Sequence, residues 1–349
     1  MTINANEKYD FAIAKKEYRE FCDKEKHDIQ IFALPWYLDA VCRSQDEWRV
    51  IIYKENGRIV AAFPFAYYKT SKGAWIIENP WQAARLGIWI DYRNHITQYS
   101  RENFENDVTE FVIDKLPRFD RFDILFDARY KNWRAFYNRG FSQQTRYSYV
   151  VRSDGFDGNE FLQSMGKSRR RGIKNAGNNL SIEKGISFNT YWDFFESSYR
   201  QRERKLTYTR EQFKSFFDAV ITHEASEVFV ARDTIGNICA VDILVFDGRR
   251  AYSMFGTFDP TKQKASDSLI TFEGIVCATK SGKDFDFEGS MIPSVARYNM
   301  EFNAELEPYF EITKYSPRKR LYMNLKESIS IIASWFRTMG NDNDRECNA

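Results

Sequence analysis

This 349-residue chain has little histidine and no clustered cysteine. Its three histidines, His27, His95 and His223, lie far apart, and the five cysteines (Cys22, Cys42, Cys239, Cys277, Cys347) include no CxxC pair. That spacing predicts no zinc or other metal site. An odd number of scattered cysteines speaks against a disulfide framework, and the opening MTINANEKYDFAIAKK has no apolar leader, so a reducing compartment, the cytoplasm, is expected. Nothing approaches the run of ~18 apolar residues that crosses a bilayer. The longest late stretch, Ile329 to Phe336, is short and interrupted by Ser330 and Ser334, so no integral membrane contact is expected. An excess of one charge is also missing: 51 basic residues face 49 acidic ones, for a formal net charge of +2. That balance argues against a general nucleic-acid footprint.

Aromatic residues are abundant. The chain holds 30 Phe, 20 Tyr and 8 Trp, and 43% of it is hydrophobic, which excludes a disordered protein. Single cores stop growing near roughly 250–300 residues, so two domains are expected. The turn-rich stretch Ser153 to Gly158 (SDGFDG) marks the boundary, giving domains 1–155 and 156–339 and a polar tail at 340–349.

In the first half, Trp48 to Tyr53 and Arg58 to Tyr68 read as an antiparallel pair joined by Glu55-Asn56-Gly57. Strands near Trp75 to Ile77 and Gly87 to Ile90 follow. Phe104, Val108, Phe111 and Val112 then recur at helical spacing over Asn103 to Leu116, which Pro117 stops. Arg121 to Phe126 reads as a strand, Trp133 to Asn138 as a short helix, and Arg146 to Val151 as a closing strand. The second half predicts a helix over Asn159 to Ala176, a short strand, and helices over Tyr191 to Arg202 and Arg210 to His223. A meander comes next, Glu227 to Asp233, Ile238 to Asp247 and Ala251 to Phe258. After it come a helix over Ser266 to Ser281, a strand over Asp284 to Glu288, a helix over Pro293 to Phe302, a strand near Tyr309 to Lys314 and a helix from Pro317. Both halves run antiparallel strands, helix, strand, helix, strand. The fold class is α+β in αβα layers, with mixed, mainly antiparallel central sheets.

Four passages carry a family resemblance: Gly166-Lys-Ser-Arg-Arg-Arg-Gly-Ile-Lys-Asn-Ala176, Lys264-Ala-Ser-Asp-Ser-Leu-Ile270, Phe285-Asp-Phe-Glu-Gly-Ser-Met-Ile292 and Arg297-Tyr-Asn-Met-Glu-Phe-Asn303. With the element order, they resemble the FemAB-like branch of the GNAT acyltransferases, which has two GNAT-like domains. The resemblance implies tandem GNAT-like domains and transfer of an acyl group from acyl-CoA or aminoacyl-tRNA to a small-molecule or precursor acceptor such as a cell-envelope precursor. No metal is implied, a tRNA acceptor end is a possible partner, and the oligomeric state stays open. Asn299 and Asn303 stand where peptidoglycan-type members resemble Lys and Gly. Gln263, Ser266 and Ser268 occupy the coenzyme-binding spacing in place of glycines, with Asp267 between them. These departures leave a second reading open, a degenerate module that binds a glycan, peptide or nucleotide without turning it over.

Several constellations carry chemistry. Lys167, Arg170, Arg171 and Lys174 share one helical face, which suits a phosphate-bearing ligand or is a solvated basic face. In Asp284-Phe-Asp-Phe-Glu288 the period of two puts three carboxylates on one side and two phenylalanines on the other. Crowded carboxylates raise one another's pKa, so Glu288 is the candidate base or substrate anchor, with Ser290 beside it; a wet strand face is the alternative. Arg297 suits an anion and Tyr298 a general acid, unless Tyr298 simply packs on Phe302. The loop Asn79 to Gly87 offers Trp81, Gln82 and Arg85 as an acceptor wall, with Tyr208 and Phe255 near it. Asp242, in an apolar strand, should have a partner. Finally, Trp81, Tyr208, Tyr252, Phe255, Phe285, Phe287 and Tyr298 are expected to line one elongated groove.

Overall fold

A computed structural model describes residues 9–24, 28–289 and 291–320. The segment before Trp48, which carries no element in the sequence reading, forms helices α1 (Phe11–Lys24) and α2 (Pro35–Val41). The Asp10 carboxylate accepts from the Ala12 and Ile13 N–H groups at the start of α1, and Pro35 opens α2, where its missing N–H loses nothing. Strands β1 (Trp48–Glu55) and β2 (Arg58–Lys69) then form the expected hairpin. Asn56 and Gly57 take φ +49° and +79°, the left-handed pair that a tight hairpin turn requires.

The rest of the first half comprises β3 (Trp75–Glu78), β4 (Trp89–Ile90), α3 (Gln98–Lys115), β5 (Arg121–Leu125), α4 (Arg134–Asn138) and β6 (Ser142–Val151). The second half begins with α5 (Gly158–Ser164), α6 (Lys167–Gly177), β7 (Leu180–Lys184), α7 (Phe188–Gln201) and α8 (Arg210–Thr222). It continues through β8 (Ser226–Asp233), β9 (Ile238–Phe246), β10 (Arg250–Ser253), β11 (Thr257–Phe258), α9 (Ser266–Lys280), β12 (Asp284–Asp286), α10 (Pro293–Met300) and β13 (Glu305–Tyr315). Helix starts follow side-chain caps: Thr97 for α3, Asp157 for α5, Ser187 for α7 and the reciprocal Thr209–Gln212 box for α8.

Three expected elements are broken or end early, while α3, β6 and β13 begin four or five residues before their expected starts. The helix over Asn159 to Ala176 is two helices, because the chain turns extended at Met165 and Gly166. The strand over Ala251 to Phe258 is broken after Ser253. The strand expected to reach Glu288 ends at Asp286, and Glu288 itself lies in the left-handed region at φ +62°. The helix from Pro317 is entered at 317–320; its continuation, the stretch 329–336 and the polar tail lie outside the described residues.

The strands form one continuous sheet in the order β1-β2-β3-β5-β13-β6-β12-β10-β9-β8-β7, with β4 on β2 and β11 on β9. β3–β5 and β10–β12 are parallel; the other strand pairs are antiparallel. Each half sends its last strand into the other: β6 lies between β12 and β13, and β13 between β5 and β6. One core runs through both halves, from Tyr18 and Phe63 to Phe195 and Phe213. A second, smaller core packs α5, α6, α9 and α10 on the sheet through Ile173, Leu269, Ile275, Phe285 and Phe302.

Candidate active site

The two central strands of the second half, β9 and β12, place acidic side chains in the interior. Asp286, at the end of β12, has no solvent exposure. It accepts hydrogen bonds from Arg85, from Arg250 Nη1 at 2.8 Å, from the Ser148 hydroxyl and from the Glu288 backbone N–H at 2.8 Å. Arg250 continues to Glu307, and Arg152 bridges Glu307 and Asp284. The loop from Asn79 to Gly87 is thereby tied to β12 across 201 positions of sequence. A buried ion pair contributes little net stability, but removing one partner strands the other and costs roughly 3–5 kcal/mol.

Beside this network stand two carboxyl oxygens without partners. Glu288 Oε1 is shut off from solvent and has no hydrogen bond among the described residues, and the same holds for Asp242 Oδ1. Burial pushes the Glu288 carboxyl up to about 8, with the charges of Asp286 and Asp242 adding to the rise and Arg85 opposing it. Burial likewise raises Asp242 to about 6, although the Ser253 hydroxyl donates to its other oxygen at 2.9 Å. Arg85 is itself 1% exposed, and its Nε and Nη1 have no hydrogen-bond partner among the described residues. Gly256 lies against Asp242, where a Cβ would come within 3.3 Å of Oδ1. At Gly289, with φ +72°, a Cβ would collide with the Tyr147 carbonyl and lie 2.8 Å from Ser148 Cα, so glycine fixes how the chain leaves Glu288.

An aromatic wall adjoins the carboxyls. Trp81 packs on Tyr208 at 4.9 Å and on Phe255 at 6.4 Å. Gln82, at φ +59°, offers its carbonyl to the Tyr37 hydroxyl at 2.6 Å, and Tyr37 is within the field of Glu288. A cavity of about 490 Å³ opens near Gln30, Leu86, Trp89, Arg129 and Arg249. An adjoining one of about 290 Å³ is lined by Arg250, Tyr252, Asp284 and Glu307, so Arg250 joins the cavities to Asp286.

The structure therefore gathers Glu288, Asp242, Trp81, Gln82, Tyr208 and Phe255 around one interior region. Tyr37, Ser148 and Arg250, which the sequence reading did not single out, belong to it too. A position on a strand or short helix carries no local sign of such pairing, and only Pro35 two residues earlier marks the helix that presents Tyr37.

The remaining candidates lie on the other face of β12, around the start of α9. Ser266 is buried, and its hydroxyl bonds the Cys239 carbonyl; Gln263 is half-buried, and its side-chain amide donates to the Lys264 carbonyl. Arg169 donates to Ser268 and to Glu301 (2.8 Å) and lies 4.2 Å over the Tyr298 ring. Tyr298 packs on Phe302 at 5.3 Å, its hydroxyl 3.2 Å from Thr271, and burial raises its pKa. Gly172 of α6 faces Ala265 so closely that a Cβ would come within 3.1 Å of the Ala265 Cβ. Arg170 bonds the Gln163 carbonyl, while Arg171, Lys174 and Arg297 are exposed. Ser290 lies outside the described residues.

The single aromatic groove is not formed. Trp81, Tyr208 and Phe255 make the wall and Tyr252 is buried against Phe32 at 4.7 Å, but Phe285, Phe287 and Tyr298 pack in the second core. Strand alternation is the reason, since it turns Phe285 and Phe287 away from the face that carries Asp286. Most of the aromatic excess is core. Among the described residues no group of three or more His, Cys, Asp or Glu could hold a metal ion, and no helix is long and apolar enough to cross a membrane.

Residues 161–288 match the family described as the acetyltransferase (GNAT) domain. The fold is similar to the crystal structure of FemX, at 12% identity and TM-score 0.65, covering 88% of this chain and 97% of that one. It is also similar to the C-terminal domain of a putative lysylphosphatidylglycerol synthetase from Agrobacterium fabrum (11% identity, TM-score 0.53, covering 89% and 95%). L-PGS from Bacillus licheniformis is a third structural relative (12%, TM-score 0.50, covering 84% and 90%). No curated protein sequence matches. The stretch from α5 to Glu288 thus matches a GNAT acetyltransferase domain, and the fold of the chain around it is similar to that of FemX.

Proposed function

We propose that the chain is an acyl- or aminoacyltransferase that delivers an acyl group to a primary amine of a cell-envelope precursor, with Glu288 as the base. The observation that carries this is the pair of buried, unpartnered carboxyl oxygens, Glu288 Oε1 and Asp242 Oδ1. An ammonium group gives both a partner and lowers both pKa values, whereas a hydroxyl supplies no charge to offset theirs. Glu288 then takes a proton from the ammonium, the free amine attacks the donor carbonyl, a C–N bond forms, and the C–O or C–S bond to the donor breaks, the second proton lost by the nitrogen passing to the departing oxygen or sulfur so that it leaves as alcohol or thiol. A base with a pKa near 8 is matched to that proton. Arg85 and Arg250 hold Asp286, and Asp286 holds the Glu288 backbone, so the base is positioned before substrate arrives. The acceptor body occupies the joined cavities, which reach the Glu288 region through Arg250 and Asp286.

The donor is an ester or thioester, aminoacyl-tRNA or acyl-CoA. The names of the relatives, FemX and lysylphosphatidylglycerol synthetase, support an envelope acceptor.

Transfer from acetyl-CoA and from aminoacyl-tRNA to matched amine and hydroxyl acceptors, read by mass spectrometry, tests this. Amine products are expected, with kcat/KM rising with pH and levelling above about 8 as Glu288 loses its proton. Glu288→Gln should lower kcat about 10²–10⁴-fold and remove that limb. Full activity in Glu288→Gln, or products on hydroxyls alone, would overturn the assignment.

A further inference from the structure

We infer that the face formed by α6 and α10 docks on an anionic lipid surface. Helix α10 and its approach expose apolar side chains to an unusual degree: Met291 is 49% exposed, Ile292 61%, Val295 37% and Met300 57%. Tyr298, Asn299 and the following Phe302 turn inward, Tyr298 onto Thr271 and Phe302 onto Arg169 and the second core. The helix thus keeps its shape through one narrow contact and presents the rest of its girth outward.

The charge beside it is mainly basic, with Glu301 as an acidic neighbour. Lys167, Arg171 and Lys174 recur at i, i+4 and i+7 on α6, so they form a stripe on the side of that helix opposite buried Ile173 and Ala176. All three are exposed and none has an acidic partner among the described residues. Arg297 adds a fourth cation on α10, its side chain 80% exposed and only 3.8 Å from Glu301. The two helices are physically joined: Arg169 bridges to Glu301 at 2.8 Å, and the Asn303 side chain donates to the Ser164 hydroxyl at 3.1 Å. Basic stripe and apolar helix therefore belong to one layer of the molecule, the one that covers the second core.

A lipid headgroup surface satisfies both components, with phosphates meeting the cations and the acyl boundary receiving the methionines, isoleucine and valine. RNA fits less well. Its phosphates suit the stripe, but single-stranded bases call for exposed aromatic rings, and the exposed apolar residues of α10 are all aliphatic. This inference stands independently of the acyl-transfer proposal.

Co-sedimentation of the full chain with phosphatidylglycerol–phosphatidylcholine vesicles, against phosphatidylcholine alone, is the test. The chain should pellet with the anionic vesicles and release as salt is raised. Joint Lys167→Ala, Arg171→Ala and Lys174→Ala should lower the bound fraction several-fold and flatten the salt dependence. Val295→Asp with Met300→Asp should lower it several-fold as well; both sets change exposed positions, and unchanged melting temperatures verify the fold. Failure of the parent chain to bind at low salt, or undiminished binding by both variants, would overturn the inference. So would a stripe variant that loses tRNA binding while the α10 variant pellets with vesicles as the parent does, since that assigns the stripe to RNA.

Discussion

Glu288 is held in two unfavourable conditions, a left-handed backbone at φ +62° and a carboxyl whose Oε1 has neither solvent nor a hydrogen bond among the described residues. The strain has a consequence for stability. Its carboxyl is raised from 4.5 in the unfolded chain to about 8 in the folded one, so the folded state binds the proton more tightly. Below about pH 4.5 both states are protonated and ionisation of Glu288 takes nothing from stability; between about 4.5 and 8 the unfolded state alone ionises, so stability falls by up to a few kcal/mol, and above about 8 the folded state ionises too and the loss levels off. Glu288→Gln should therefore raise the melting temperature relative to the parent chain at pH 8 and leave the difference small at pH 4, a trend that calorimetry at the two pH values checks. Glu288 was legible as a carboxylate at a strand end before Gly289. Its coupling to Asp242 and Arg85 was not, because residues this far apart in sequence leave no periodic trace.

Among the elements, β12 and the turn after it matter most. Alternation along Asp284-Phe-Asp-Phe was readable and correct in direction: the phenylalanines enter the second core, and Asp284 and Asp286 meet arginines. The exit was misread as continued strand, since the turn depends on Gly289 fitting under the Tyr147 carbonyl of β6. Gly289→Ala should destabilise by more than about 1 kcal/mol, through both the φ +72° backbone and the collision, and lower activity with it. Chemical denaturation together with the transfer assay reads both effects. The basic run on α6 was equally legible as a helical stripe. That Arg169 turns inward to Ser268, Glu301 and the Tyr298 ring, while Arg171 and Lys174 stay outside, follows from how α6 lies across α9.

On the scale of the whole molecule, the exchange of last strands decides cooperativity. β13 pairs with β6 from Glu305 to Thr313 and with β5 from Glu311 to Tyr315, so a fragment covering 1–155 leaves β5 and the long edge of β6 without their partner. A fragment covering 156–339 lacks β6 between β12 and β13. Expressed separately, neither fragment should show the hydrogen-exchange protection of the intact chain, while mixing them should restore it; the intact chain should unfold in one transition. A stable, fully protected half would refute this. The sequence by itself determined the hairpin, most helices and strands, the α+β class and the acidic strand end, because turn residues, caps and periodicities of two and 3.6 act over a few neighbouring residues. Only the tertiary structure decided that the sheets merge into one, that Arg85 reaches Asp286, and that Glu288 and Asp242 are desolvated together, because those depend on which surfaces exclude water from one another.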